Sequence, residues 1–300
     1  MKCVIIGATN VDTTLHLEAS LRLKDKNPVT VKESLGGVGF NIAFGVSKLY
    51  PDVHFLTAFE GENETLNTSF KHLERLLVKP QPRFIGVMKK AEVEVAFSAM
   101  EALDTLSIKT FKKILESLSP NDIVCFDLNF QTDEILDLIK TTKAHVYIEA
   151  TSAHKIEKLK TKALSLSGLK MNLLEAEVLT GSTDLRTVQA RLEAMDIQTI
   201  IVTLGPEGVM IYQDRFWTHY QDTHPWKSVN DSGIGDAFMA GYLVGLIKNE
   251  DAVKSAFTMS YLIAQSPQAT DPALTRKIFI QERKHHDVNV ISRRPRSPRP

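Results

Sequence analysis

Short, continuous runs of β-branched and apolar residues recur along this chain with amphipathic segments between them, and no other feature restricts its fold as much. They are Val4-Ile5-Ile6, His54-Phe55-Leu56, Ile123-Val124-Cys125-Phe126, His145-Val146-Tyr147-Ile148 and Thr199-Ile200-Ile201-Val202. Continuous apolarity, in place of alternation, is what a strand covered on both faces requires, and such strands belong to parallel sheets flanked by helices. Between the runs the apolar residues fall at helical spacing, as at Phe111, Ile114, Leu115 and Leu118, and again at Val188, Leu192 and Met195. The alternation predicts an α/β fold: a doubly wound, mostly parallel sheet with right-handed crossovers.

Two stretches leave this rhythm. Residues 13–33 are polar with scattered apolar positions, and residues 83–97 read as two short strands around Lys89-Lys90-Ala91-Glu92. Together they predict a small β lid over one end of the sheet, within a main domain that spans residues 1–282. Residues 283–300 differ again. From Gln281 onward six Lys/Arg stand against two acids, and Pro295, Pro298 and Pro300 interrupt any regular ladder, which predicts a basic, disordered tail.

Composition matters here for what it removes. With 36 basic and 36 acidic residues the charges cancel, which argues against a surface built to attract nucleic acid or anionic lipid. No apolar stretch approaches the roughly 20 residues that cross a bilayer, and the first residues lack the pattern of a signal peptide. Cys3 and Cys125 each sit inside an apolar run, as buried thiols do in a reducing compartment. An intracellular, cytoplasmic protein is the expectation, and a lid edge strand offers a pairing surface for a homodimer.

The segment Val229-Asn230-Asp231-Ser232-Gly233-Ile234-Gly235-Asp236 precedes the small and apolar residues Ala237 to Leu243. Glycines at spacing two permit a sharp turn, and the residues after Asp236 read as a buried helix that begins there. Unpaired N–H groups and the positive dipole end of that helix make residues 233–236 an anion cradle. Asp236 is open to two readings, an N-cap or a general base that takes a hydroxyl proton while the cradle stabilises a transferring phosphoryl group. A second glycine-rich segment, Leu35-Gly36-Gly37-Val38-Gly39-Phe40-Asn41, lets main chain approach a ligand. No G-x-G-x-x-G follows the first strand and no G-K-[ST] occurs, which opposes a dinucleotide-dependent oxidoreductase and a Walker-type nucleotide site. His285-His286 has no Cys or spaced His to complete a metal site.

In order and separation these segments resemble the PfkB, or ribokinase-like, family of carbohydrate and nucleoside kinases. Gly7-Ala8-Thr9-Asn10-Val11-Asp12 resembles the family's opening substrate motif, Gly36 to Asn41 its diglycine motif, and Gly233 to Asp236 its anion hole and base. Met171-Asn172-Leu173-Leu174-Glu175 resembles its N-x-x-E motif, and Thr203-Leu204-Gly205-Pro206-Glu207-Gly208 the turn that borders the nucleotide. Within the family the details are similar to pseudouridine kinases: Asn27-Pro28 between the first two motifs, Val-Gly-x-Asn at residues 38–41, and Asn230 where sugar kinases carry Asp. Asp127-Leu128-Asn129 and Glu149-Ala150-Thr151-Ser152 fall where those relatives have an acid at a strand end.

The resemblance implies ATP-dependent transfer of phosphate to the 5′-hydroxyl of a ribosyl compound, with pseudouridine as the nucleoside. It implies that Asp12, Asn27, Gly36, Gly37, Asn41, Asp127 and Asn129 hold the acceptor. It places Asn172, Thr203, Gly205, Gly208 and Asn230 beside the nucleotide and Glu175 on the Mg²⁺ side, and it admits a monovalent cation. Gly233, Ile234 and Gly235 would receive developing charge, with Asp236 as the base. The chain departs from the pattern at Asp231, where relatives have Thr or Val, at Ile234, where they have Ala, and at Ala99, where they have Asp. These departures keep two alternatives open: a weak or inactive relative that binds a nucleoside or nucleotide as a sensor, and an active kinase for adenosine, ribose or another sugar.

Overall fold

The structure, a computed structural model, describes residues 1–295 apart from 90, 91, 161, 163, 164, 224–227 and 230. Its strands are β1 Cys3–Ile6, β2 Asn10–Leu17, β3 Val29–Gly36, β4 Val53–Ala58, β5 His72–Leu76, β6 Arg83–Lys89 and β7 Glu92–Ala99. They continue with β8 Ile123–Asp127, β9 His145–Glu149, β10 Ser165–Asn172, β11 Asp196–Thr203, β12 Val209–Gln213, β13 Phe216–Asp222 and β14 Val288–Pro295. The first helices are α1 Val38–Leu49, α2 Glu64–Ser69, α3 Glu101–Asp104, α4 Lys112–Glu116, α5 Thr132–Ile139 and α6 Ala153–Ile156. After them come α7 Leu173–Thr180, α8 Leu185–Glu193, α9 Ile234–Lys248, α10 Ala252–Ala264 and α11 Arg276–Arg283.

Ten strands form one sheet in the order β14-β13-β12-β11-β10-β9-β8-β1-β4-β5, with parallel pairing from β11 through to β5 and antiparallel pairing of β12, β13 and β14. Each apolar run picked out in the sequence lies on one of these strands, and β1 and β8 are buried at every position. They need to be, because both faces are covered. One core layer joins Ile5, Phe55 and Cys125 to Phe40, Phe238 and Phe257 under α1, α9 and α10, and the other joins Ile6, Phe126 and Ile148 to Phe111, Ile135 and Leu192. Cys3 and Cys125 are buried free thiols.

A second sheet, β3-β2-β6-β7, is the lid. It takes in residues 10–36 and 83–99, slightly more than the polar stretches suggest. The turn residues Lys90 and Ala91 lie outside the described residues. β3 and β7 are its free edges, and its β2–β6 pairing is parallel.

Two sequence expectations need correcting. Residues 288–295 are not disordered: β14 pairs antiparallel with β13 from Asp222↔Val288 to Phe216↔Pro295. Charge composition misled because an edge strand needs backbone partners more than apolar side chains, and Arg293 gains a further contact with its guanidinium 4.4 Å above the Phe216 ring. Residues 296–300 of the expected tail lie outside the described residues. The second correction concerns α9, which begins at Ile234 and not at Asp236; its N-cap is Gly233, so Asp236 is the third helical residue and not the cap.

Candidate active site

Parallel register brings the carboxyl ends of four strands to one line. Asp127 stands beside Glu149, Glu149 beside Lys170, and Asn172 beside Thr203. In open α/β sheets the crevice outside these strand ends is where ligands bind. Here α1 and α9 enter it from one face and the lid strand β2 from its end.

At the centre is the amino end of α9. Gly233 has φ +77°, and a Cβ there would stand 2.6 Å from the Ala269 carbonyl oxygen, so both backbone conformation and space demand glycine. The first helical hydrogen bond runs from Ala237 N–H to Gly233 O at 2.8 Å. The N–H groups of Ile234, Gly235 and Asp236 therefore precede the helical ladder and are free for an anion. The Asp236 carboxylate accepts from Asn41 Nδ2 at 2.8 Å, a bond that spans from α1 to α9. Burial raises the Asp236 pKa above the ordinary aspartate value; Lys170 and then Asn41 oppose it, while Asp127 and Glu175 add to it. Asn41 Oδ1 is buried with no partner, a free acceptor beside the same carboxylate.

The diglycine turn is built around Asp127, which is 1% exposed. Its carboxylate accepts four hydrogen bonds, from Ala8 N, Gly39 N, Asn129 N and Asn129 Nδ2, at 2.9 to 3.0 Å. Asp127 and Asn129 were expected to touch the acceptor. In this structure they are consumed in fixing the ends of β1 and β8 against α1, and burial, the largest influence, holds Asp127 above its usual pKa. Gly37 has φ +103°, and its missing Cβ leaves room for Ala8 O and Asn10 Oδ1, each 2.6 Å from where the Cβ would stand. A side chain at Gly36 would overlap the Asp12 carboxylate.

Asp12, on β2, is half-buried and accepts from Asn10 Nδ2. Burial pushes its pKa up to about 6; the Asn10 bond lowers it and Asp236 raises it. The Asp12 carboxylate lies against Gly36, just before α1, whose Asn41 bonds Asp236. Asn27 is elsewhere: its side chain accepts from Arg22 N–H and donates to the Arg22 and Asp25 carbonyls, closing the turn between β2 and β3.

On the other flank Asn172 caps α7, accepting from Glu175 N–H at 2.9 Å while Glu175 Oε2 accepts from Asn172 N–H at 2.7 Å. The pattern that resembled N-x-x-E is thus a capping box, with Glu175 buried and Asn172 exposed. Thr203 ends β11, and Gly205 and Gly208, both at positive φ, close the tight turn after it. Asn230 lies outside the described residues. Asp231 is exposed, its carboxylate bonded by Ser228 Oγ, and Ala99 is exposed at the end of the lid strand β7.

Sequence reasoning missed Lys170. Its Nζ lies 2.9 Å from Glu149 Oε1 with both side chains almost fully buried, and 2.8 Å from where a Gly235 Cβ would stand, directly beneath the anion cradle. Burial works against the Lys170 charge, but Glu149, Asp236 and Glu175 outweigh it and its pKa is raised. The available signal was a single lysine inside the apolar strand Leu169-Lys170-Met171, since buried lysines require a partner.

Among the described residues no group of three His, Cys, Asp or Glu side chains could cage a metal. One carboxylate beside phosphate oxygens and water is nevertheless how Mg²⁺ is commonly held, and Glu175 with Asn172 fits that lesser role. No helix among the described residues is long and apolar enough to cross a membrane.

A crevice with an anion cradle, an acid of raised pKa inside it and a second acid at the diglycine turn suits transfer of a phosphoryl group to a hydroxyl. Comparison with known proteins agrees. The chain is 26% identical over 261 residues to pseudouridine kinase of Escherichia coli, covering 79% of this chain and 81% of that one. Among solved structures, a carbohydrate kinase from Agrobacterium tumefaciens superposes with a TM-score of 0.78 at 19% identity over 96% of this chain and 99% of that one. The ribokinase of Arabidopsis thaliana complexed with ribose and ATP does so with a TM-score of 0.76 at 16% identity over 94% and 98%. The profile of pfkB family carbohydrate kinases matches residues 1–276, and the chain belongs to that family.

Proposed function

We propose that this kinase uses ATP to phosphorylate the 5′-hydroxyl of a nucleoside, and that the nucleoside is pseudouridine. The observation that carries the reading is the carboxylate of Asp236, held by Asn41 inside the amide cradle of α9. Pseudouridine is favoured over other acceptors by the similarity to the Escherichia coli pseudouridine kinase and by the Val38-Gly39-Phe40-Asn41 form of the diglycine motif.

The arrangement supports the following course. Asp12, beside Gly36 and Gly37, accepts hydrogen bonds from ribose hydroxyls, and Asn41 Oδ1 offers a further acceptor. Asp236 takes the proton of the 5′-hydroxyl; its raised pKa brings it closer to the range in which a carboxylate is an effective base. The oxygen so freed attacks the γ-phosphorus, the bond to the β-phosphate oxygen breaks, and ADP leaves. The N–H groups of Ile234, Gly235 and Asp236, with Lys170 beneath them, meet the charge on the transferring group. The turn at Thr203, Gly205 and Gly208 borders the donor. Mg²⁺ when bound neutralises phosphate charge, and Glu175 with Asn172 would hold its water shell. The lid excludes water as it closes.

Asp231 does not oppose this reading, because its carboxylate is exposed and engaged by Ser228. The test is ADP release with MgATP and pseudouridine, uridine, adenosine or ribose under one set of conditions, with the phosphorylated position read by ³¹P NMR. Pseudouridine should give the highest kcat/KM and a 5′-monoester. Preference for ribose or adenosine overturns the substrate, and tight nucleoside binding without turnover with any acceptor favours the sensor alternative.

A further inference from the structure

On the sheet face opposite α9 and α10, the core layer that includes Met210 and Trp217 does not close. Where the first turn of α8 meets the antiparallel strands β12, β13 and β14, it leaves a cavity of about 370 Å³, within the range of small-molecule sites, and none of the residues lining it belongs to the crevice. Met210 pairs with His219 and Trp217 with Arg294, so these four side chains share one face of the sheet and form the floor. Leu185, Arg186 and Gln189 of α8 form the wall.

The lining is unbalanced in charge. Arg186 stands on the wall and Arg294 on the floor, and neither guanidinium makes a salt bridge or hydrogen bond among the described residues. The acid at the rim, Asp184, is engaged: its carboxylate caps α8, accepting from N–H and Oγ1 of Thr187 at 2.9 and 2.7 Å. Two guanidiniums lining one cavity suit an anion, and a phosphate above all, which can accept from both at once. The rest of the lining calls for a ring. Trp217 is 4% exposed and spends its indole N–H on Glu193 at 2.8 Å, so what it offers the cavity is apolar, as are Met210 and Leu185. Gln189 is buried beside them, and the one hydrogen-bond partner of its amide among the described residues is the thioether of Met210, 3.4 Å from Nε2. A thioether is a weak acceptor, and buried amides are ordinarily better satisfied, so a heterocycle with donors and acceptors on its edge would complete this one. His219 donates from Nε2 to Glu207 O at 2.6 Å, which leaves Nδ1 for a ligand.

We propose that this cavity is a second ligand site, for a nucleoside 5′-monophosphate: the phosphate lies between Arg186 and Arg294, and the base lies over Met210 and Trp217 with its polar edge at Gln189. Because the cavity shares no residue with the crevice, this holds whether or not the crevice transfers phosphate.

Titration calorimetry of the full chain with UMP, AMP, uridine and inorganic phosphate tests it on wild type, Arg186→Ala and Arg294→Ala. UMP or AMP should bind at a site that either arginine substitution weakens by at least roughly tenfold, the size expected for loss of a charge-assisted hydrogen bond. Uridine and inorganic phosphate should each bind there more weakly than the nucleotide, because each fills only part of the cavity. Crystals soaked with the tighter nucleotide should show its phosphate between the two guanidiniums. Nucleotide affinity that neither substitution alters overturns the proposal, as does inorganic phosphate or uridine binding as tightly as the nucleotide, or a soaked crystal with the cavity empty. A nucleotide that binds in the crevice alone leaves both variants equal to wild type and removes this site without touching the kinase reading.

Discussion

Single side chains decide the chemistry at this crevice, and two of them can be separated from their structural duties. Asp236 is not a helix cap, because Gly233 takes that position, which leaves its carboxylate for proton transfer. Asp236→Asn keeps an acceptor for Asn41 but cannot take a proton, so turnover should fall by at least roughly a hundredfold with little change in either KM. Steady-state kinetics checks this, and the wild-type acid limb of kcat, set above the ordinary aspartate range by burial, should vanish in the variant. Lys170 makes a contrasting case. Lys170→Met leaves Glu149, already with one oxygen unpartnered, as a buried uncompensated charge, at a cost of about 3–5 kcal/mol by denaturant unfolding. Adding Glu149→Gln should recover most of that stability, whereas kcat/KM for ATP should stay low because the charge under the cradle is still missing. Recovery of activity together with stability would reduce Lys170 to a structural residue.

At the scale of elements, turn geometry carries the function. Gly233→Ala puts a Cβ at positive φ and 2.6 Å from Ala269 O, so the first turn of α9 must shift and the cradle with it. The expected outcome is a kcat lowered by one to two orders of magnitude, roughly what loss of one anion-hole donor costs, while acceptor affinity measured by calorimetry stays near wild type. The same elements show what a sequence discloses and what it conceals. The strands were legible because complete burial demands uninterrupted apolarity, and Gly233 and Gly37 because positive φ selects glycine. The start of α9 was misjudged by two residues because a glycine in the left-handed region can itself act as N-cap without a side chain. β14 was hidden because its partner is the backbone of β13, which leaves no trace in composition. Asp127 was visible as an acid at a strand end, but that it is spent on four main-chain and amide donors could not be read from residue type. The capping box of Asn172 and Glu175 uses the same residues as the family motif, so spacing alone could not say which duty dominates.

For the whole molecule, gathering acids at one crevice sets a cost that pH reveals. Asp12 titrates near 6 when folded, against an ordinary value of 3.8, mainly because it is buried. Between those values the folded chain binds more protons than the unfolded one, so stability falls as pH rises through the window from about 4 to about 6. Asp127 and Asp236 shift in the same direction, also through burial. Thermal unfolding in the absence of ligand should therefore give a higher midpoint near pH 5 than near pH 7, opposite to a protein whose carboxylates sit mainly in stabilising pairs. Asp12→Asn removes one such group without removing the acceptor for Asn10, so it should raise stability at pH 7 by about 1–2 kcal/mol and flatten the pH dependence. The same variant should bind the acceptor more weakly, because a ribose hydroxyl loses its charged partner. A variant more stable and less competent is what a site held against the preference of the fold predicts. If Asp12→Asn is less stable than wild type at pH 7, the Asp12 carboxylate is supporting the lid and not straining it.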